Sequence, residues 1–307
     1  MFKRVDFELP DMEWSRFFNI WGKQQLMLLK DYARIFLIGF RDTLQDAMAI
    51  AAYAPELAAD SIRNTLRHQY ADGSTLRGWC PLDTHKYGDG GVWIAPAVAE
   101  YVKETGNIEF LDEMVPYFDG GSASVWEHLQ QAFRWFEANL GRHGFPKLYF
   151  GDWNDSLNIG HGGEGESIWI ALALIVAYDD AALLARHAGK SKDEADFTAQ
   201  AAVMRKRVEK LAWDGNWYLR SLHDAGGHVG GHANSAGSIF SEPQSWAVFA
   251  RMNPERLKLV HRAVAERLRT PMGLLVCDPP FMQFDPVYGR ITCMRSRWGE
   301  MPAVIAM

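Results

Sequence analysis

Apolar side chains recur at three- and four-residue intervals along most of this chain. That period predicts helices over residues 13–30, 41–53, 56–70, 92–104, 123–140, 166–187, 191–212, 242–251 and 254–268. Local signals agree with it. Pro55 opens PELAADSIRNTL, Ser122 or Ser124 is placed to cap VWEHLQQAFRWF, and Gly106, Gly141 and Gly189 fall just past helix ends. The run Ile168–Tyr178 (IWIALALIVAY) is too short to span a bilayer and reads as a buried helix. Strict alternation is scarce. No repeat of fixed length, low-complexity tract or Pro/Ser linker interrupts the series, so one all-α domain over residues 1–307 is expected. Long Gly-rich polar loops lie between the helices, at 39–46, 72–91, 151–167 and 226–238. Helices alternating with such loops predict a toroid of helix pairs whose loops at one end carry the chemistry.

Composition narrows the class. The 307 residues are 48% hydrophobic and 23% charged, as in a folded globular protein with ample core material. A net charge of -6 with no basic cluster argues against nucleic acid as a partner. No membrane association is expected either, and the opening MFKRVDFELPDMEW lacks the apolar core of a secretory signal, so the expected location is cytoplasmic. Cys80, Cys277 and Cys293 are odd in number and show no CxxC spacing, which fits a reducing compartment. Twelve tryptophans are many; an indole face either fills a core or lies against the C–H face of a sugar.

The loops hold the candidate chemistry. In GDWNDSLN (151–158), Asp152 and Asp155 sit around Trp153 and Asn154. Asx side chains closing their own turn explain this segment as well as an acid at a leaving oxygen does, with Trp153 and Phe150 as the apolar wall beside it. GFRDTLQD (39–46) places Arg41 and Asp42 at a helix start. Asp42 is either a cap with Arg41 as its surface partner, or an acceptor for sugar hydroxyls with Arg41 donating to a sugar oxygen or an anion. The histidines at 85, 143, 161, 228 and 232 fall in HGGE and HVGGH contexts whose spacing does not put two imidazoles on one helical face, so no metal site is expected. GxSxG, GxxxxGK and a strand-borne GxGxxG are absent.

Taken in order, GFRDTLQDAM, VWIAPAVAEYVKETGNIEFLDEMVPYFD (92–119), HGFPKLYFGDWNDSLN (143–158), GEGESIWIA (163–171), EPQSWA (242–247) and DPPFMQFDPVYGRIT (278–292) resemble glycoside hydrolase family 94, the cellobiose- and chitobiose-phosphorylase family. The similarity runs from about residue 15 to residue 300. It implies an (α/α)6 barrel and inverting phosphorolysis of a β-linked glucoside to a sugar 1-phosphate, with inorganic phosphate as co-substrate and no cofactor. Phosphate is already an anion, so a single carboxylic acid suffices for the inverting step. The resemblance puts the proton donor at Asp155. It also puts Trp153 and Asp42 against the sugar, Arg41 beside them, Asp89 of KYGDGG near the same pocket, and Asp152 in the role of shaping the loop.

The chain also departs from the family. Cellobiose phosphorylases carry an Arg six positions before the Asp of GFRD, where this chain has Phe36, and Arg34 is no assured substitute. Relatives open with a β-sandwich and a helical linker, and continue past the position of Glu300 with segments that supply most of the phosphate site. Here MPAVIAM (301–307) follows instead. The expectation is therefore a barrel incomplete at its C-terminal end and an isolated chain of doubtful activity, with 301–307 aberrant or a second polypeptide completing the fold. A homodimer or a complementing chain is the expected assembly. Two further readings remain: a non-catalytic carbohydrate-binding or complementing module, and an (α/α)6 hydrolase with Asp89 or Asp42 as a second carboxylate about 6.5–9.5 Å from the acid.

Overall fold

In the computed structural model, residues 5–31, 36–293 and 304–305 are described. Arg34, Glu300 and most of 301–307, on which the sequence raised questions, lie outside them. The protein is predominantly helical. Its helices are α1 (Met12–Arg16), α2 (Lys23–Asp31), α3 (Phe40–Ile50), α4 (Pro55–Leu66), α5 (Ile94–Thr105), α6 (Val125–Ala138), α7 (Ile168–His187), α8 (Ser191–Leu211), α9 (Ser241–Phe249) and α10 (Pro254–Arg267). A π-helical turn, Phe17–Gly22, joins α1 to α2. Every helix expected from the period is present, with ends shifted by a few residues.

The stop and start signals act as the sequence suggests. Pro55 is in the first turn of α4. Ser124 and Glu127 form a reciprocal cap on α6, the Ser124 N–H donating to Glu127 Oε2 at 2.8 Å and the Glu127 N–H to Ser124 Oγ at 3.2 Å. Gly106 ends α5 in the left-handed region at φ 69°. Helix α7 is longer than its apolar run alone suggests. Its 20 residues would suffice in length to cross a bilayer, yet 78% of its most apolar window is buried inside the protein.

Two compact units make up the chain. The first comprises Met1–His85, Gly90–Trp135 and Asp180–Glu194; the second comprises Lys86–Asp89, Phe136–Asp179 and Ala195–Met307. In the first, α3, α4 and α5 pack on one another. Phe40, Leu44, Ala47 and Ile50 form the buried stripe of α3, Ala58, Ile62 and Leu66 that of α4, and Ile94, Val98 and Tyr101 that of α5. In the second, Leu148, Leu157, Ile159, Val229, Phe240 and Phe281 share one core cluster.

The strands are two or three residues long and were not legible as alternation. They tie loops together beside the helices. In the second unit, Glu166–Ser167 pairs with Ser221–Leu222, which pairs with His228–Val229, and Ile239–Phe240 pairs with Cys277–Asp278. These ladders bring the segment after residue 165, the segment around residue 220 and the entry to α9 to fixed positions.

Candidate active site

Helix α3 carries Arg41 and Asp42 in its first turn, both half-buried. The N-cap is Gly39, with no side-chain cap, so Asp42 is not the cap that a bland interpretation of GFRD would make it. Its carboxylate leans back over the helix start instead. A Cβ on Gly39 would lie 2.1 Å from Asp42 Oδ2, so only glycine leaves room for that conformer.

The other sequence-predicted residues, Asp89, Trp153 and Asp155, belong to the second unit. Asp89 is buried at the end of a short segment laid along the start of GDWND. There the Gly88 N–H donates to the Gly151 carbonyl at 2.9 Å and the Phe150 N–H to that of Lys86 at 3.0 Å. The approach leaves no room for a side chain at 88, where a Cβ would meet the Lys147 carbonyl oxygen at 2.3 Å. Gly88→Ala is therefore expected to displace Asp89 and to destabilise by about 1–3 kcal/mol, on the scale of overpacking a close-packed site. Urea unfolding checks it, and an unchanged midpoint would mean the segment yields freely.

Two Asx turns build the 152–156 segment. Asp152 Oδ1 accepts from the Asn154 N–H at 3.0 Å, and Asn154 Oδ1 accepts from the Ser156 N–H at 3.1 Å. The local-turn interpretation of the sequence is thus correct as far as it goes. Beneath the turn, however, lies a buried ionic cluster that local chemistry does not require. Asp152 and Arg220 are both fully buried and form a bidentate pair, Nη2 to Oδ1 at 2.6 Å and Nη1 to Oδ2 at 2.8 Å. Ser167 Oγ donates to Oδ2 at 2.7 Å. Asn154 in turn donates its side-chain amide to Oε1 of the buried Glu242 at 2.9 Å.

The charges of this cluster separate. Burial works against ionising Asp152, but the Arg220 charge and the hydrogen bonds from Arg220, Ser167 and the Asn154 N–H outweigh it, leaving the carboxyl below the ordinary aspartate range. Arg220 is likewise opposed by burial and held above its ordinary value by Asp152, Glu242 and Asp89. Glu242 goes the other way. Burial raises its pKa, and neither the Arg220 charge nor the Asn154 amide brings it back. Asp152 therefore shapes the loop as a neutralised carboxylate.

Asp155 stands on top of this turn, half-buried. Its backbone carbonyl accepts from Arg290 Nη2 at 2.7 Å and from Asn158 Nδ2 at 3.2 Å, so the loop is gripped from the 285–293 segment as well. The Trp153 ring, also half-buried, lies 6.5 Å from that of Trp169, which meets Trp246 edge-on at 5.4 Å. Phe150 is engaged elsewhere: it stacks on His161 at 4.5 Å and packs against Tyr87 at 5.6 Å. Three other histidines pair with carboxylates, His143 with Glu166, His232 with Asp214 and His85 with Asp83. Among the described residues, no three His, Cys, Asp or Glu side chains are grouped as a metal would need.

Arg220 and Glu242 are the residues that sequence reasoning missed. A signal existed for the first: a lone charge in the apolar run YLRSL (218–222) requires a buried partner if that run is core. Glu242 resembles an ordinary first-turn acid of α9 and gives no such cue.

In fold the chain is helical and similar to solved glycosidases. It superposes on a solved glycosidase with a TM-score of 0.61 at 14% identity, over 89% of this chain and 76% of the other. A GH78 rhamnosidase of Bacillus sp. GL1 gives 0.52 at 17% identity, over 77% and 23%. Residues 1–301 match the Glycosyl hydrolase 94 superfamily, catalytic domain, and the chain belongs to that family. It is 45% identical over 277 residues to the solabiose phosphorylase of Paenibacillus borealis, covering 89% of this chain and 36% of the relative. With the N,N'-diacetylchitobiose phosphorylase of Vibrio proteolyticus the identity is 32% over 287 residues, covering 83% and 36%. The chain thus spans 36% of the length of these relatives.

Proposed function

We propose that this chain is the catalytic part of a glycoside phosphorylase, which cleaves a β-linked glucoside by inverting attack of inorganic phosphate and releases a sugar 1-phosphate. The observation that carries this is the GDWND turn, in which Asp152 is buried and neutralised by Arg220 while Asp155 stays half-exposed above it. The Asp152 carboxyl is thereby committed to structure, and the turn it shapes presents Asp155, the proposed acid. In the proposed step the Asp155 proton passes to the bridging oxygen, the C1–O bond breaks, and a phosphate oxygen bonds to C1 from the opposite face. Trp153 offers its indole to the sugar, Arg41 and Asp42 bind sugar hydroxyls, and Asp89 contributes from its buried position. The fold inferred is a single (α/α)6 catalytic domain, and the inferred location is cytoplasmic.

The test is incubation with a panel of β-linked disaccharides, with and without phosphate, followed by assay for sugar 1-phosphate. Phosphate-dependent release is expected. Cleavage independent of phosphate would transfer the chain to a water-using hydrolase, and saturable sugar binding with no turnover in either condition would make it a binding or complementing module.

A further inference from the structure

The single guanidinium of Arg220 serves three carboxyl groups. It is bidentate to Asp152, its Nε lies 3.8 Å from Glu242 Oε2, and it feels the buried Asp89 electrostatically. Asp152 takes the close contacts. An ionised carboxylate facing a guanidinium N–H closes to about 2.7–2.9 Å. Here both Glu242 Oε2 and Arg220 Nε are buried without a hydrogen-bond partner, and they stand apart. A proton on Oε2 accounts for the gap, since it removes the charge that would draw the guanidinium N–H into a close contact. Glu242 is only 3% exposed, and a negative charge on it would have to share a guanidinium already bidentate to Asp152.

We propose that Glu242 is a positioning residue that works as a neutral carboxylic acid, its Oε1 holding the Asn154 side-chain amide and so fixing the turn that presents Asp155. A neutral anchor secures the turn without burying a further charge beneath it. The groups facing Glu242 are consistent with that state. Arg220 and Asp152 face it from the 220 and 152 segments, and Asp89 acts through Arg220. Cys277, on the strand paired with the entry to α9, is a thiol that burial pushes up to about 12, so it is neutral as well. The positioning role rests on Asp155 being the acid; the charge state of Glu242 does not.

Two measurements test the parts separately. Infrared difference spectra of the wild-type chain against Glu242→Gln, near neutral pH, are expected to show loss of the C=O stretch of a protonated carboxylic acid. Loss of a carboxylate stretch instead would overturn the neutral state. For positioning, Glu242→Ala is expected to lower glucoside turnover roughly 10²-fold with KM little changed, the scale of a misplaced catalytic group. Glu242→Gln, which keeps the acceptor for Asn154 and the neutral charge, should restore most of that loss. Equal impairment in both variants would sink the proposal. Unimpaired turnover in Asp155→Asn would remove the acid assignment while the infrared result still decides the state of Glu242. In a preparation without turnover, hydrogen exchange at the Asn154 and Ser156 amides supplies the same ranking: fast in Glu242→Ala, slow again in Glu242→Gln. Exchange unchanged in Glu242→Ala would show that the glutamate does not hold the turn.

Discussion

Asp155→Asn is expected to lower glucoside cleavage by roughly 10²–10⁴-fold, the usual contribution of a general acid, while leaving sugar affinity within about twofold. The two halves of this prediction have separate origins. In the proposed mechanism the amide cannot donate the proton that the carboxylic acid supplies, and the catalytic contribution is lost. The turn survives because the contacts from Arg290 and Asn158 go to the carbonyl of residue 155, which asparagine retains. Comparing turnover with binding, the latter followed by tryptophan fluorescence, checks both halves. Undiminished turnover would remove Asp155 from the mechanism, and lost binding would show that its carboxylate holds sugar or loop.

The largest effect on stability is expected from Arg220→Met. It leaves Asp152 fully buried without its cation, and breaking one side of a buried pair costs about 3–5 kcal/mol. Asp152→Asn combined with Arg220→Met should recover part of this, because no uncompensated charge then remains. The pH dependence follows from the direction of the shift. Asp152 has a folded pKa below its unfolded one, so its stabilisation is present above the unfolded value, about 3.9, and is lost as pH falls through the lower folded value. The gap between wild type and Arg220→Met, read from urea unfolding, should therefore narrow below about pH 4. A gap of the same size at neutral and strongly acid pH would show that packing, not charge, is what Arg220 supplies. Glu242 works in the opposite window. Its folded pKa is raised, so its contribution is full below the unfolded value and declines as pH climbs through the folded one.

The helices were legible because burial on one face leaves a period that no other arrangement produces, as in the 40, 44, 47, 50 stripe of α3. The short ladders were not, because residues 218–222 are buried on both sides and so cannot alternate. The site was legible in part. Asp152 and Asn154 as turn-formers follow from their own backbone chemistry, whereas the roles of Asp155 and Trp153 are proposals that rest on the family motif. The lone charge at Arg220 signals a buried partner but not which one, and Glu242 gives no signal, because these contacts join positions 68 and 88 residues away from the turn and no local pattern encodes such a pairing. Among the described tryptophans, Trp93, Trp126, Trp135, Trp169 and Trp217 are core, Trp14 and Trp21 are exposed, and Trp153 is half-buried.

That separation along the chain has a consequence for synthesis and for truncated genes. The ribosome emits GDWND long before it emits the arginine and the glutamate that shape it, and the entropy of closing so long a loop is recovered only once both have arrived. A polypeptide halted between residues 158 and 242 would contain GDWNDSLN in full and still lack at least the glutamate that holds its turn.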